Sequence, residues 1–203
     1  HDVTVLDAVG HGVTADAQSV IFMSDRDSGA DRAPHEDPQY SIYRMDLDSG
    51  LVERLTDDVL NSPHAATKTP DSELIAYTTD KQEVRVLNTR TGQTTTIYQE
   101  TGPFGIASVP SIAANRRYVA FCRNEESEAP IHYQGANYYG FKERFYAIKD
   151  GRITVAFIDG SGAFDIFKDT HQLGHFQFSP DDPTIGSFCH EGPWNLVTQR
   201  IWF

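Results

Sequence analysis

The sequence has no run of 18 or more apolar residues, so no transmembrane helix is read from it. It is also short of positive charge. Lys and Arg number 17 against 29 Asp and Glu, for a formal charge of −12. With no basic footprint to neutralise phosphates, non-specific nucleic-acid binding drops out as a function class. An anionic small ligand stays open, because a few Arg and His inside one pocket outweigh the mean field locally. Cysteine is scarce: Cys122 and Cys189 each sit in an apolar, strand-like run (VAFC and GSFC), with no C-x-x-C metal or redox motif. Both read as small buried hydrophobes, and a disulfide between them is open but unsupported. Hydrolase motifs are missing as well. There is no G-x-S-x-G, no H-E-x-x-H and no paired Cys–His signature, which leaves conventional serine, cysteine and zinc hydrolases unsupported. The G-S-G at 160–162 reads as a hairpin turn rather than a phosphate loop, because no helix follows it.

What is present is an ordinary globular balance, 39% hydrophobic and 11% aromatic over 203 residues, which argues for one domain or two small ones rather than a disordered chain. The chain opens at His1 and closes on QRIWF inside a strand-like run, so it is expected to be a piece of a longer protein. Helix is nearly absent; one short helix is expected near Gly140–Tyr146, inside a polar and aromatic insertion at about 124–147.

The strongest organisation is a repeat. TADAQSVIF, TPDSELIAY, AANRRYVAF and SPDDPTIGSF each set a turn of Asp, Asn, Ser or Pro before a β-branched and aromatic strand. The first three continue into hairpins: YSIYRMDLDSGLVERLT, EVRVLNTRTGQTTTIY and RITVAFIDGSGAFDIF. A four-stranded unit of roughly 40–50 residues is the period of a β-propeller blade. The expectation is therefore an all-β chain, a β-propeller of about three and a half antiparallel blades at roughly 10–57, 61–100, 105–169 and an incomplete 172–203. Such a piece leaves a strand edge open, so remaining blades or a second chain are needed to close it.

Histidine recurs where blades open: His11 in GHGVTAD, His64 in SPHAATKTPD and His175 in LGHFQFSPDD, with His190 following in CHEGPW. Each has a structural alternative, a His bridging loops between blades. The densest stretch is CHEGPWNLVTQRIW. Gly192 and Pro193 break the strand that carries His190 and Glu191, and Trp194 offers a flat face. Strand alternation puts Arg200 on the face of Trp202, where a guanidinium suits a carboxylate through two parallel N–H donors. A surface or inter-blade ion pair is the alternative for Arg200.

The run LGHFQFSPDDPTIGSFCHEGPWNLVTQRIW, and within it C-H-E-G-P-x-x-L-V-x-x-R-x-W, resembles the oligogalacturonate (oligogalacturonide) lyases, and the similarity covers roughly Phe145–Trp202. Earlier blades match in repeat pattern alone. The resemblance implies a seven-bladed propeller and β-elimination on short, pectin-derived galacturonides: a base takes the C5 proton, the O4 bond breaks, and a 4,5-unsaturated uronate results. Carried over by motif, Arg200 matches the family's catalytic Arg, with a charge-neutralising role; acting as a base would demand a large depression of a pKa above about 12. His175 and His190 sit in the pattern as substrate-binding candidates, joined by Trp194, Arg152 and Tyr146; Arg152, at a strand start, reads equally as a ladder-side ion pair. The resemblance further implies a divalent metal of the manganese type, with ligands outside these residues, and a catalytic His in an H-E-F-W-like motif that these residues do not contain. These 203 residues alone are then expected to turn over little. By the same analogy the setting is cytoplasmic, the partner is an oligogalacturonide, and neither nucleic acid nor membrane is involved. Two alternatives stay open: a lyase or binding propeller for another uronate, and a non-catalytic TolB-like propeller scaffold.

Overall fold

The computed structural model describes residues 3–5, 12–27, 39–62, 64–107, 109–126, 132–134, 137–139, 145–191 and 201–203. The chain groups into two compact units, His1–Ile97 and Tyr98–Phe203. Its described elements are almost all antiparallel strands. In the first unit, β1 (Val3–Val5), β2 (Ser19–Ser24), β3 (Ser41–Asp46) and β4 (Val52–Arg54) form one sheet in that order. The next sheet is β5 (Ala66–Lys68), β6 (Leu74–Thr78), β7 (Glu83–Asn88) and β8 (Thr94–Gln99), which runs over the unit boundary. These are the four-stranded blades that the repeat predicts. The first begins at Val3, ahead of the boundary expected near residue 10.

In the second unit, β9 (Phe104–Ile106) and β10 (Ser111–Ile112) both pair with β11 (Tyr118–Glu125), one at each end of that long strand. The insertion then supplies a small hairpin, β12 (His132–Gln134) with β13 (Asn137–Tyr139), and one helical turn at 145–147. The sheet resumes with β14 (Gly151–Phe157) and β15 (Ala163–Asp169). The last sheet is three-stranded: β16 (Leu173–Phe178), β17 (Gly186–His190) and β18 (Ile201–Trp202).

The repeated turns share one backbone solution. Asp16, Asp71 and Asn115 each accept, on Oδ1, the N–H of the residue two positions on: Gln18, Glu73 and Arg117. The residue between adopts a left-handed conformation in all three: Ala17, Ser72 and Arg116, with φ of 56°, 63° and 56°. An Asx turn that satisfies its own backbone compensates for a conformation non-glycine residues seldom adopt. The strand after each turn is largely buried. Ile21 and Met23 of β2, and Ile75 and Tyr77 of β6, join Ile42, Leu60 and Leu87 in the core of the first unit. In the second, Ala120, Cys122, Ile153 and Val155 pack on Leu173, Phe176 and Phe188. Cys122 is buried and Cys189 half-buried, and neither is in a disulfide.

Blade three buries one charged network. Arg123 is 8% exposed, and every guanidinium edge is used. Its Nε donates to Thr154 (2.7 Å), Nη1 to Tyr98 (2.6 Å) and Glu100 (2.7 Å), and Nη2 to Asp165 (2.7 Å). Burial pushes the Glu100 carboxyl up, but Arg123 and the Gly102 N–H outweigh it and hold the group below its ordinary range. The Tyr98 hydroxyl is pushed up to about 12 by burial and by its hydrogen bond to Glu100.

One glycine decides how the last sheet seats on blade three. A Cβ on Gly151 would overlap the carbonyl oxygen of His171 and come within 3.0 Å of Asn124 Oδ1. That amide is itself committed: Asn124 Oδ1 accepts the Leu173 N–H (2.8 Å) and Nδ2 donates to the Leu173 carbonyl (2.9 Å), extending the ladder with a buried side chain. Gly151→Ala is therefore expected to lower stability by roughly 1–3 kcal/mol, the usual cost of overpacking. Urea denaturation checks this; a loss under about 0.5 kcal/mol, the scale of an indifferent surface change, would contradict it.

Candidate functional site

At one end of the second unit, β15 stops at Asp169, the chain turns through 170–172 and β16 starts at Leu173, while β17 stops at His190. Leu173 pairs with His190 in the ladder, and the Glu191 N–H donates to the Gln172 carbonyl (2.9 Å). This brings Asp169, His171 and His190 together. His190 Nε2 lies 3.1 Å from Asp169 Oδ2, and His171 Nδ1 lies 3.4 Å from Asp169 Oδ1. The two imidazoles stack with centroids 4.4 Å apart. The His190 side chain is 9% exposed, and the Trp202 ring lies 5.2 Å from it on the neighbouring strand. Burial pushes the Asp169 carboxyl up, but the Thr170 N–H and the two histidines outweigh it and hold it below its ordinary range.

The expected His175 lies beside this group. Its side chain is 75% exposed, and its Nε2 is 3.1 Å from Oε1 of the buried Glu191. Its φ of 51° falls at a register shift between Gly174 and Gln177. A left-handed non-glycine residue inside a strand is costly and tends to persist where it aims a side chain. Gly174 makes room: a Cβ there would lie 2.6 Å from Glu191 Oε1. The L-G-H of the sequence is thus a cradle for the acid of C-H-E-G-P.

The other candidates are placed apart from this cluster or outside the described residues. Arg152 on β14 is engaged on both sides. Its Nε and Nη2 donate to the two oxygens of Asp150 (2.9 Å each), its Nη1 donates to Asp165 (3.1 Å), and its guanidinium lies over the Phe104 ring. Arg152 and Lys168 hold the Asp150 carboxyl down at about 2, the Arg152 hydrogen bond first. That is the ion-pair alternative weighed for Arg152. Tyr146 is half-buried in the helical turn. His64 is exposed and belongs to the first unit. His11, Trp194 and Arg200 lie outside the described residues.

Asp169 and His171 were not among the sequence candidates. Neither sits at a repeat position, and the ends of β15 and β17 meet through β16 rather than through sequence spacing. The second unit also has an apolar cleft of about 410 Å³, lined by Phe164, Ile166, Phe176, Phe178 and Phe188 among others. Among the described residues its one titratable lining side chain is Tyr118.

A family model described as oligogalacturonate lyase matches residues 14–203. The chain belongs to the oligogalacturonate lyase family. Two curated relatives are named oligogalacturonate lyase and oligogalacturonide lyase. One of them, the oligogalacturonate lyase of Dickeya dadantii (strain 3937), is 24% identical over 168 residues, covering 82% of this chain and 42% of the relative. An oligogalacturonate lyase solved in complex with manganese superposes at a TM-score of 0.78 with 18% identity, covering 98% of this chain and 50% of that one. TolB from Acinetobacter baumannii superposes at 0.52 with 17% identity, over 89% of this chain and 37% of its own. The chain thus spans about half the length of the lyases it matches, and its fold is the β-propeller that the repeat predicts.

Proposed function

We propose that the protein cleaves short galacturonides by β-elimination. The observation that carries this reading is that C-H-E-G-P, the most specific stretch of the family resemblance, ends β17 at the histidine–carboxylate cluster. The chemistry sets the demands. C5–H is a weak acid beside a carboxylate that is already anionic, and removing its proton builds further negative charge there. As the C5–H bond breaks, its electron pair forms the C4=C5 double bond and the C4–O4 bond electrons leave with O4. Positive charge and N–H donors at the uronate carboxylate lower that barrier.

In this reading Arg200 clamps the uronate carboxylate, a task for which its fork of donors is suited. His190, oriented by Asp169, and His175, aimed outward by Glu191, donate to sugar hydroxyls or to the carboxylate. Trp194 stacks on a sugar face. Arg152 keeps blade three in place through Asp150 and Asp165. A divalent metal, when bound, adds positive charge beside the carboxylate. Its principal ligands are expected from later blades. The likeness to TolB is one of fold alone.

The test is to incubate the full-length protein, later blades included, with oligogalacturonides of defined length and follow the ultraviolet absorbance of the conjugated product, with mass analysis of the new ends. Unsaturated ends are expected. Saturated ends would mean hydrolysis and would overturn the reading, as would activity on another uronate oligomer in preference to galacturonides.

A further inference from the structure

We infer that Asp169, His171 and His190 form a binding site for a divalent transition-metal ion. This inference goes beyond the lyase reading and does not rest on it. Two imidazole nitrogens approach the two oxygens of one carboxylate, at 3.1 Å and 3.4 Å. All three donor atoms lie within 4.8 Å of one another. Ligands about 2.0–2.2 Å from a common ion stand roughly 3.0–3.4 Å apart in octahedral or tetrahedral geometry, so small side-chain adjustments admit an ion.

The scaffold around the three residues is firm. Asp169 and His190 end strands, and the Thr170 N–H holds Asp169 Oδ1 at 2.6 Å. The His171 turn is seated on Gly151 and followed by Leu173, whose N–H and carbonyl are both taken by Asn124. Trp202 flanks His190. Exposure is graded across the set, with side chains 9% exposed at His190, 27% at Asp169 and 41% at His171. A bound ion would therefore have protein on one side and solvent on the other, leaving positions for water or an anionic ligand. Next in the chain, Gln172 Oε1 is buried without a hydrogen-bond partner, a further acceptor in the same turn. The net charge of −12 favours cation uptake.

Two nitrogens and one oxygen select against hard cations. Affinity is expected to run Zn²⁺ and Co²⁺ above Mn²⁺, with Ca²⁺ and Mg²⁺ far weaker. The test is titration of the metal-free protein with Co²⁺ and Zn²⁺, by calorimetry and by the visible ligand-field bands of Co²⁺. It is run on the wild type and on His171→Ala and Asp169→Asn. His171 is partly exposed, and Asn keeps the shape of Asp, so folding is preserved; circular dichroism verifies it. The wild type is expected to bind one ion more than His171→Ala, or to bind the corresponding ion more tightly by over the roughly 10–100-fold that loss of an outer-shell partner costs. The Co²⁺ bands of that ion are expected to fade in both variants. Equal stoichiometry, affinity and spectra in all three proteins would overturn the inference, and so would Ca²⁺ binding this site as tightly as Zn²⁺.

Discussion

Replacement of Arg200 by Ala is expected to lower kcat/KM on oligogalacturonides by roughly 10²–10³-fold, the cost of removing one donor aimed at charge that develops in the transition state. A uronate carboxylate binds in the ground state and becomes more electron-rich as the C5 proton leaves. A guanidinium beside it therefore binds the transition state more tightly than the substrate, and its loss lowers kcat as well as raising KM. Arg200→Lys separates two roles. If Arg200 neutralises charge, Lys keeps the charge but loses the paired donors, so part of the rate returns and the pH profile keeps its shape. If Arg200 were the base, the profile would move with the pKa of the new residue. An unchanged kcat/KM in the Ala variant, with the fold intact by circular dichroism, would remove Arg200 from the site.

Arg123→Met is expected to have the largest effect on stability, about 3–5 kcal/mol, because it strands buried partners rather than deleting a surface contact. The Glu100 side chain is 5% exposed and the Arg123 side chain 10%. Without the guanidinium, Glu100 keeps the Gly102 N–H and the Tyr98 hydroxyl but loses its counter-charge, and Asp165 keeps Thr154 and Arg152. The pH dependence follows from the direction of the shifts. Glu100 and Asp165 are both held below their ordinary values, burial opposing and the Arg123 contacts contributing to the net lowering. Their contribution to wild-type stability is therefore complete above the unfolded carboxylate range and is lost as pH falls below about 4. The deficit of Arg123→Met is then largest at neutral pH and shrinks on acidification, because protonated Glu100 no longer needs a counter-charge. Denaturant unfolding at pH 7 and pH 3.5 measures both. The double variant Arg123→Met, Glu100→Gln should recover part of the loss at pH 7. Additive single losses would show that the pair is not coupled.

These effects sit on a scaffold with a division of labour. Polar networks such as Arg123–Glu100–Asp165 in blade three and Arg85–Asp58–Tyr77 in the first unit occupy corresponding tasks, each tying a connecting segment to the sheet that follows it. Their charges are mutually satisfied. The histidine–carboxylate cluster differs in being at strand ends and partly open to solvent, which is where a ligand can exchange with water. The Gly151 and Gly174 positions serve that cluster by letting a carbonyl and a carboxylate approach where any side chain would intrude.

Much of the architecture was legible in the residues alone. Turn chemistry at TADAQS, TPDSEL and AANRRY repeats because each Asx turn must satisfy its own backbone, and such local bonds need no distant partner. Alternation along EVRVL marks a strand for the same reason: the two-residue period is a property of the backbone. The period of the unit announced blades, and C-H-E-G-P announced the family. Tertiary structure alone decided the rest. Arg152 reads from sequence equally as a ligand and as an ion pair, and its contacts to Asp150 and, across the hairpin, to Asp165 are visible only in the fold. Asp169 and His171 carried no motif, because they meet His190 through the pairing of β16 with β17 and the seating of the 170–172 turn on Gly151. A strand pattern specifies which face a side chain takes, whereas the partner it finds depends on how one sheet packs on the next, and that is set by long-range contacts that no local spacing encodes.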